Sequence, residues 1–336
     1  MSKIGDHAFD YLDRMSDGRA LFEHAEGTAR REEHGYCIDD NARLLVVASR
    51  EVENDVANRL GRRALAFLFA AQDANGRTRN RMNSDGRWTD KPTTEDCWGR
   101  SLWGLGVAAT QHFDPKIRRT ALFGFEKGVR QRSLWPRAMA FASLGAADIL
   151  TNHPGHNPAR ELLVDTLAAI GTIPKGSWIW PEPRLRYANA ALAEAVIAAG
   201  AALESKVDLD RGLSMLSWLL ALETSSGYLS VTGSSGRGPN DLGPQFDQQP
   251  IEVAAMADAC WRAYTVTGDE SWVRGITTSA DWFTGSNDVG LVMYDEVSGG
   301  GFDGLHPDRV NLNQGAESTL ALISTMQRAG SFVSAY

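Results

Sequence analysis

Carboxylates, amides and aromatic rings gather at five places in the chain, each just ahead of a long apolar stretch. They read Gly35-Tyr36-Cys37-Ile38-Asp39-Asp40-Asn41-Ala42-Arg43, then Thr93-Thr94-Glu95-Asp96-Cys97-Trp98-Gly99-Arg100, then Trp178-Ile179-Trp180-Pro181-Glu182 running into Arg186-Tyr187-Ala188-Asn189. The last two are Phe246-Asp247-Gln248-Gln249-Pro250-Ile251-Glu252 and Asn311-Leu312-Asn313-Gln314-Gly315-Ala316-Glu317-Ser318. Such an inventory suits carbohydrate chemistry. One carboxylic acid protonates a departing glycosidic oxygen, and a second carboxylate activates water or attacks the sugar. Burial and mutual repulsion raise the acid's pKa into its working range, while aromatic rings stack on pyranose faces and Arg, Asn and Gln hold hydroxyls.

Helix capping competes for the same residues. An Asp before an apolar helix accepts bonds from its first amides and complements the dipole, so one of Asp39 and Asp40 is expected to cap. Two in tandem, with Arg43 four residues past Asp39, exceed what a cap needs. Thr93 and Asp96 have capping-box spacing, which leaves Glu95 and Asp96 beside Trp98 and Arg100 as general-acid candidates. Pro250 suits a first helical position, placing Gln249 near the cap and Glu252 in the first turn, where the acid could merely balance the dipole. Asn313 is a further cap candidate, and Glu317 falls one turn into a helix that otherwise looks buried. A buried carboxylate needs a partner or a purpose. The catalytic candidates are therefore Asp40 as base or nucleophile, Asp96 or Glu95 as acid, and Glu252 as substitute. The binding candidates are Asp39, Arg43, Trp98, Arg100, Trp178, Trp180, Glu182, Arg186, Tyr187, Asn189, Gln249, Asn313, Gln314 and Glu317, and the loop tryptophans are expected to meet a ligand.

The elements that must carry these residues are helices of two kinds. One-sided helices show apolar stripes such as Val56-Leu60-Ala64-Leu65-Leu68 and Leu209-Leu213-Leu216-Leu220, and further stripes start near Phe9, Lys116, Pro158 and Trp272. Between them lie segments rich in Ala, Leu, Val and Gly on nearly every face, at 42–48, 101–109, 138–150, 188–203, 253–264 and 315–326. Links that enter the one-sided helices are short. Links that enter the all-apolar ones are long (16–38, 73–94, 172–185, 224–249 and 284–313), with 132–136 the exception. Long loops inside a compact fold are usually functional, and here they would emerge on one face. Six outer helices alternating with six inner ones fit an all-α (α/α)6 barrel with its site on that face. A solenoid of stacked hairpins would show a fixed period and similar loops, which this chain lacks. No boundary stands out, so residues 1–336 read as one catalytic domain.

Other readings fall away on charge and spacing. A net charge of −8 over 336 residues disfavours nucleic acid and anionic membranes as partners. The N-terminus lacks a signal-like apolar run and no segment approaches a membrane span, which makes the expectation cytoplasmic. Cys37, Cys97 and Cys260 describe no disulfide framework, and with His34 or His306 they match no metal motif. No metal or cofactor is expected. Gly233 to Pro239 is too irregular for a phosphate loop, and the Gly-rich run 294–304 lacks calcium-loop spacing and reads as a tight surface turn.

The six-hairpin pattern, with acids and tryptophans at inner-helix starts, resembles the (α/α)6-barrel glycosidase superfamily. The strings His34-Gly35-Tyr36-Cys37-Ile38-Asp39-Asp40-Asn41-Ala42-Arg43 and Asn313-Gln314-Gly315-Ala316-Glu317-Ser318-Thr319-Leu320 resemble a bacterial group described as glycosyltransferase-associated or glycosidase-like. The resemblance implies carbohydrate processing, and the acids and tryptophans clustered on one expected face point to a glycoside hydrolase acting on an oligosaccharide or polysaccharide. Without an alternating βα pattern, a nucleotide-sugar transferase fold does not fit. Sugar epimerases and isomerases share the resemblance but usually depend on inner-helix histidines, and only His34 and His306 are candidates near the mouth. A polysaccharide lyase would need a base such as Tyr36 or Tyr187. A non-catalytic carbohydrate-binding protein would need the aromatics but not several acids.

Overall fold

The computed structural model describes residues 3–333 and contains twelve α-helices among them. The outer set is α1 (Lys3–Arg14), α3 (Asp55–Ala71), α5 (Pro115–Gly128), α7 (Asn157–Ile170), α9 (Lys206–Glu223) and α11 (Ser271–Phe283). The inner set is α2 (Ile38–Ser49), α4 (Asp96–Gln111), α6 (Pro136–Asn152), α8 (Asn189–Ala202), α10 (Pro250–Thr267) and α12 (Ala316–Val333). Each inner helix packs on the next, and α12 packs back on α2, so the ring closes. The molecule is an (α/α)6 barrel, and the open solenoid is excluded by that closing contact.

Composition explains the two layers. Helices α6 and α8 are buried along nearly their whole length, including every residue from Arg137 to Leu150 and from Asn189 to Gly200. Small residues allow this crowding. A Cβ on Gly106 of α4 would lie 2.4 Å from the Gly145 Cα of α6, and one on Gly145 would lie 2.2 Å from the Leu102 carbonyl oxygen. Outer helices bury a single stripe, such as Leu60, Ala64 and Leu68 on α3. Ordinary caps start several of them, with Asn54 accepting from the Ala57 amide and Asp114 from that of Lys116.

All inner helices begin at the same end, where the long links emerge. Among the described residues the strands are two-residue antiparallel pairs, of which Tyr36–Cys37 with Arg81–Met82 ties the link before α2 to the one before α4. The run 294–304 is a tight turn closed by the Tyr294–Gly301 bridge, with Glu296 and Val297 exposed at its tip and its glycines turned inward. Gly299, Gly300 and Gly301 are buried against His7, Gln314 and Ser318, and the segment packs under the start of α12. No helix among the described residues is long and apolar enough to cross a membrane.

Candidate active site

The five clusters do not all converge. Those ahead of α2 and α12 meet, with the α10 link, in a cavity of about 410 Å³ at the barrel mouth. Its wall carries six carboxylates, from Glu23, Asp39, Asp40, Asp247, Asp303 and Glu317, together with Arg43, Arg81, Arg100, His24 and Gln249.

The tandem aspartates are free for this because neither caps α2. The N-cap is Cys37, whose Sγ accepts from the Asp40 amide at 3.5 Å. The thiol in turn donates to Asp40 Oδ2 at 3.0 Å, and Arg43 binds Asp40 Oδ1 at 2.6 Å. Burial raises the Asp40 pKa to about 6, against the pull of Arg43. The other end of the Arg43 guanidinium meets Glu317 Oε2 at 2.6 Å. Burial opposes the charge on Arg43, but Glu317 and Asp40 hold its proton more firmly than usual. The two acids differ in reach. Asp40 has its oxygens held by Arg43 and Cys37 and is 3% exposed, whereas the Glu317 side chain is 41% exposed and turned into the cup.

Asp39 faces the same space. Asn80 donates to its Oδ2 at 3.2 Å, while Oδ1 is buried with no hydrogen-bond partner, 3.5 Å from Arg100 Nε. Burial lifts its pKa in spite of Arg100 and Arg43. Arg100 lies over the Phe141 ring at 4.0 Å, so it forms part of the floor. Across the cup, Asp247 has one oxygen buried without a partner, 3.8 Å from His306 Nδ1, and burial raises its pKa also. Asp303 caps α12 from a neighbouring loop, accepting from the Gly315 amide and the Ser318 hydroxyl, each at 2.7 Å.

Other expected site residues take different places. Trp98 is fully buried and donates its indole N–H to the Gly128 carbonyl. Trp180 is likewise buried and stacks with Trp218 of α9, and Trp178 meets the same ring edge-on while bonding the Glu182 carbonyl. Trp98 and Trp180 pack the wall and present no platform to a ligand, while Trp178 is half-buried beside them. The Thr93–Asp96 capping box does not form. Glu95 is itself the N-cap, exposed and without a side-chain cap bond, and Asp96 accepts instead from the Tyr187 hydroxyl at 2.8 Å. Glu252 accepts from the amides of Ala188 and Asn189 and from the Asn189 side chain. Ala188 is left-handed (φ 48°), an uncommon state for a residue with a Cβ, and the Glu252 clamp holds it. Burial nonetheless raises the Glu252 pKa to about 6. Asn189 bonds the backbone of Arg186, and Glu182 forms a two-pronged pair with Arg137, at 2.7 and 2.9 Å. Asn313 accepts from the Gly27 amide, and buried Gln314 ties Ser298 to Asp295. Gln249, Arg186 and Tyr187 do line open space.

Sequence reasoning passed over Glu23, His24, Arg81, Asp303 and Arg137, and it quoted Asp247 without choosing it. Glu23, His24 and Asp303 sit in links well ahead of the helix starts that they serve and Arg81 in a two-residue strand, whereas Asp247, two residues before Gln249, stood in a quoted cluster. Ligand-type atoms of Glu23, Cys37 and Asp40 lie within 4.8 Å of one another. Arg81 and Arg43 already pair with the two acids, and burial pushes the Cys37 thiol well above its usual range, so this trio reads as an ion-pair cluster.

No family model matches the chain, and no curated protein matches its sequence. Solved structures match its fold. A sugar epimerase from a ruminal bacterium superposes with a TM-score of 0.70 at 12% identity, covering 96% of each chain. The cellobiose 2-epimerase of Spirochaeta thermophila gives 0.68 at 12%, covering 98% of this chain and 96% of that one. A GH76 α-mannanase from Bacteroides thetaiotaomicron gives 0.65 at 10%, covering 99% and 96%. These are similarities of architecture: the (α/α)6 barrel is the fold of epimerases and of glycosidases alike.

Proposed function

We propose that the chain is a glycoside hydrolase that binds an oligosaccharide or polysaccharide in the mouth cup. The observation that carries this is the cup itself: six carboxylates converge there, and none of the six inner helices contains a histidine. The imidazoles at the cup, His24 and His306, come from loops and not from inner helices, which weighs against an epimerase built on inner-helix histidines. Hydrolysis needs only carboxylates and water.

This reading assigns the roles to different residues from those that spacing alone suggests. Asp39 is the proton donor, because burial keeps its carboxyl protonated to higher pH and it faces the cup. Glu317 replaces Asp40 as the base or nucleophile, held by Arg43 yet open to the cup. Asp39 passes its proton to the glycosidic oxygen as the bond from that oxygen to the anomeric carbon breaks. The Glu317 carboxylate faces the positive charge that develops on the sugar, and either removes a proton from the incoming water or bonds the anomeric carbon until water displaces it. Arg43 and Asp40 position Glu317, and Asp247 and Gln249 bind from the opposite wall.

The test is a glycan panel scored for three products. Reducing ends released by the wild type and abolished in Asp39→Asn and Glu317→Gln support hydrolysis. An ultraviolet-absorbing unsaturated sugar would assign a lyase, and a sugar isomer formed without new reducing ends would assign an epimerase.

A further inference from the structure

Beside the cup lies a second cavity of about 430 Å³, lined by residues 184–187, 232–236, Gln249 and Glu252. Gln249 lines both spaces, so they adjoin. Their charge is opposite. The only acid in the second cavity is Glu252, and both of its oxygens are taken by the start of α8. Two arginines enter it. Arg184 is balanced by Asp241 at 2.9 Å. Arg186 is exposed, and among the described residues its guanidinium has no ion pair or hydrogen bond. Facing it is the loop Thr232-Gly233-Ser234-Ser235-Gly236, where the Ser234 and Ser235 hydroxyls are exposed and likewise without protein partners among the described residues. That loop is locked in place: a Cβ at Gly236, whose φ is +73°, would lie 2.4 Å from the Leu185 carbonyl oxygen. The Ser234 amide is bound to the Asp247 carbonyl, which joins the loop to the cup wall.

We infer that this pocket is a subsite for an anionic substituent of the glycan, a carboxylate, sulfate or phosphate, carried by the sugar next to the one processed in the cup. The inference rests on the carbohydrate reading of the cup. A guanidinium offers a planar fork of donors that matches an oxyanion, and two serine hydroxyls complete a donor set. Acids in the cup would repel the same group, so it is directed to this side of Gln249. The protein therefore selects charged glycans over their neutral counterparts.

The experiment measures binding of neutral glycans and their uronate, sulfated and phosphorylated counterparts to the full-length protein, with inorganic phosphate alone as a further probe. Charged glycans should bind roughly 10- to 100-fold more tightly, the range of one or two charge-assisted hydrogen bonds. Arg186→Gln should remove that preference with an unchanged Tm, and Ser234→Ala with Ser235→Ala should reduce it less. Equal binding of neutral and charged glycans, or a preference that survives Arg186→Gln, overturns the subsite. So does inorganic phosphate binding as tightly as the phosphorylated glycan. An Arg186-dependent preference without any glycan cleavage would retire the hydrolase proposal and leave the subsite standing.

Discussion

The barrel buries charge at two levels, and the two treat a carboxylate differently. Deeper in the barrel, about midway along α10 and roughly 12 Å below the mouth at 1.5 Å per residue, Asp258 is saturated. Its Oδ1 accepts from Arg50 at 3.0 Å and Arg328 at 2.6 Å, and its Oδ2 accepts from Ser324 at 2.8 Å. Burial would raise its pKa, but Arg50 and Arg328 bring it below the usual carboxylate value. At the mouth, Asp39 and Asp247 each keep one buried oxygen without a hydrogen bond, with only a longer contact to Arg100 or His306, and burial raises both pKa values. A fully paired buried acid holds helices together. An under-paired one stores an unmet demand that a substrate or proton can meet.

Breaking each level should give opposite outcomes. The largest effect is expected from Asp39→Asn, a loss of about 100- to 10,000-fold in kcat/KM, the range of general acid–base groups, with Tm nearly unchanged. Steady-state rates beside thermal melts check this, and a variant with wild-type rates would return Asp39 to a structural role. Asp258→Asn should do the reverse. It leaves Arg50 and Arg328 without their counter-charge, which destabilises by about 3–5 kcal/mol, and urea unfolding should show it, while the rate per folded molecule stays near wild type.

Glu223, beneath the mouth loops, sharpens the contrast through pH. Burial lifts it to about 7, although the Thr232 amide and hydroxyl both donate to it. A carboxyl whose folded pKa is raised contributes stability that is complete below its unfolded value and is lost as pH rises through the folded one. Melting curves across pH 4.5 to 8 should therefore show Glu223→Gln gaining on the wild type as pH rises through about 7. The smallest effect is expected from Tyr187→Phe. It removes one hydrogen bond to Asp96 at an exposed rim, about 0.5–1.5 kcal/mol, and should change KM a few-fold while leaving kcat close to wild type.

Legibility in the sequence followed the range of the interactions. The helix layers were readable because apolar periodicity is local, and Ala-rich segments can only be interior. Thus the segment expected at 138–150 appears as Pro136–Asn152, and that at 253–264 as Pro250–Thr267. That Asp39, Asp40, Arg43 and Glu317 share one cavity was foreshadowed because charged groups at the start of a buried helix are costly wherever they point. Trp180 misled because a loop position does not reveal that α9 supplies Trp218 to cover it. Asp303 was hidden for the same reason: its Gly-rich segment is a turn, and only α12 lying against the glycine side brings Asp303 to the Gly315 amide.

The sequence by itself determined twelve helices, their inner or outer layer, and which end carries the long loops, because each follows from neighbours a few residues apart. Only the tertiary structure decided which acids stay free. A Cys37 cap releases the tandem aspartates, and Glu252 is spent on the amides of α8, 63 and 64 residues away. Whether a carboxylate is a cap, an ion-pair partner or a proton donor depends on what ring closure brings to its second oxygen.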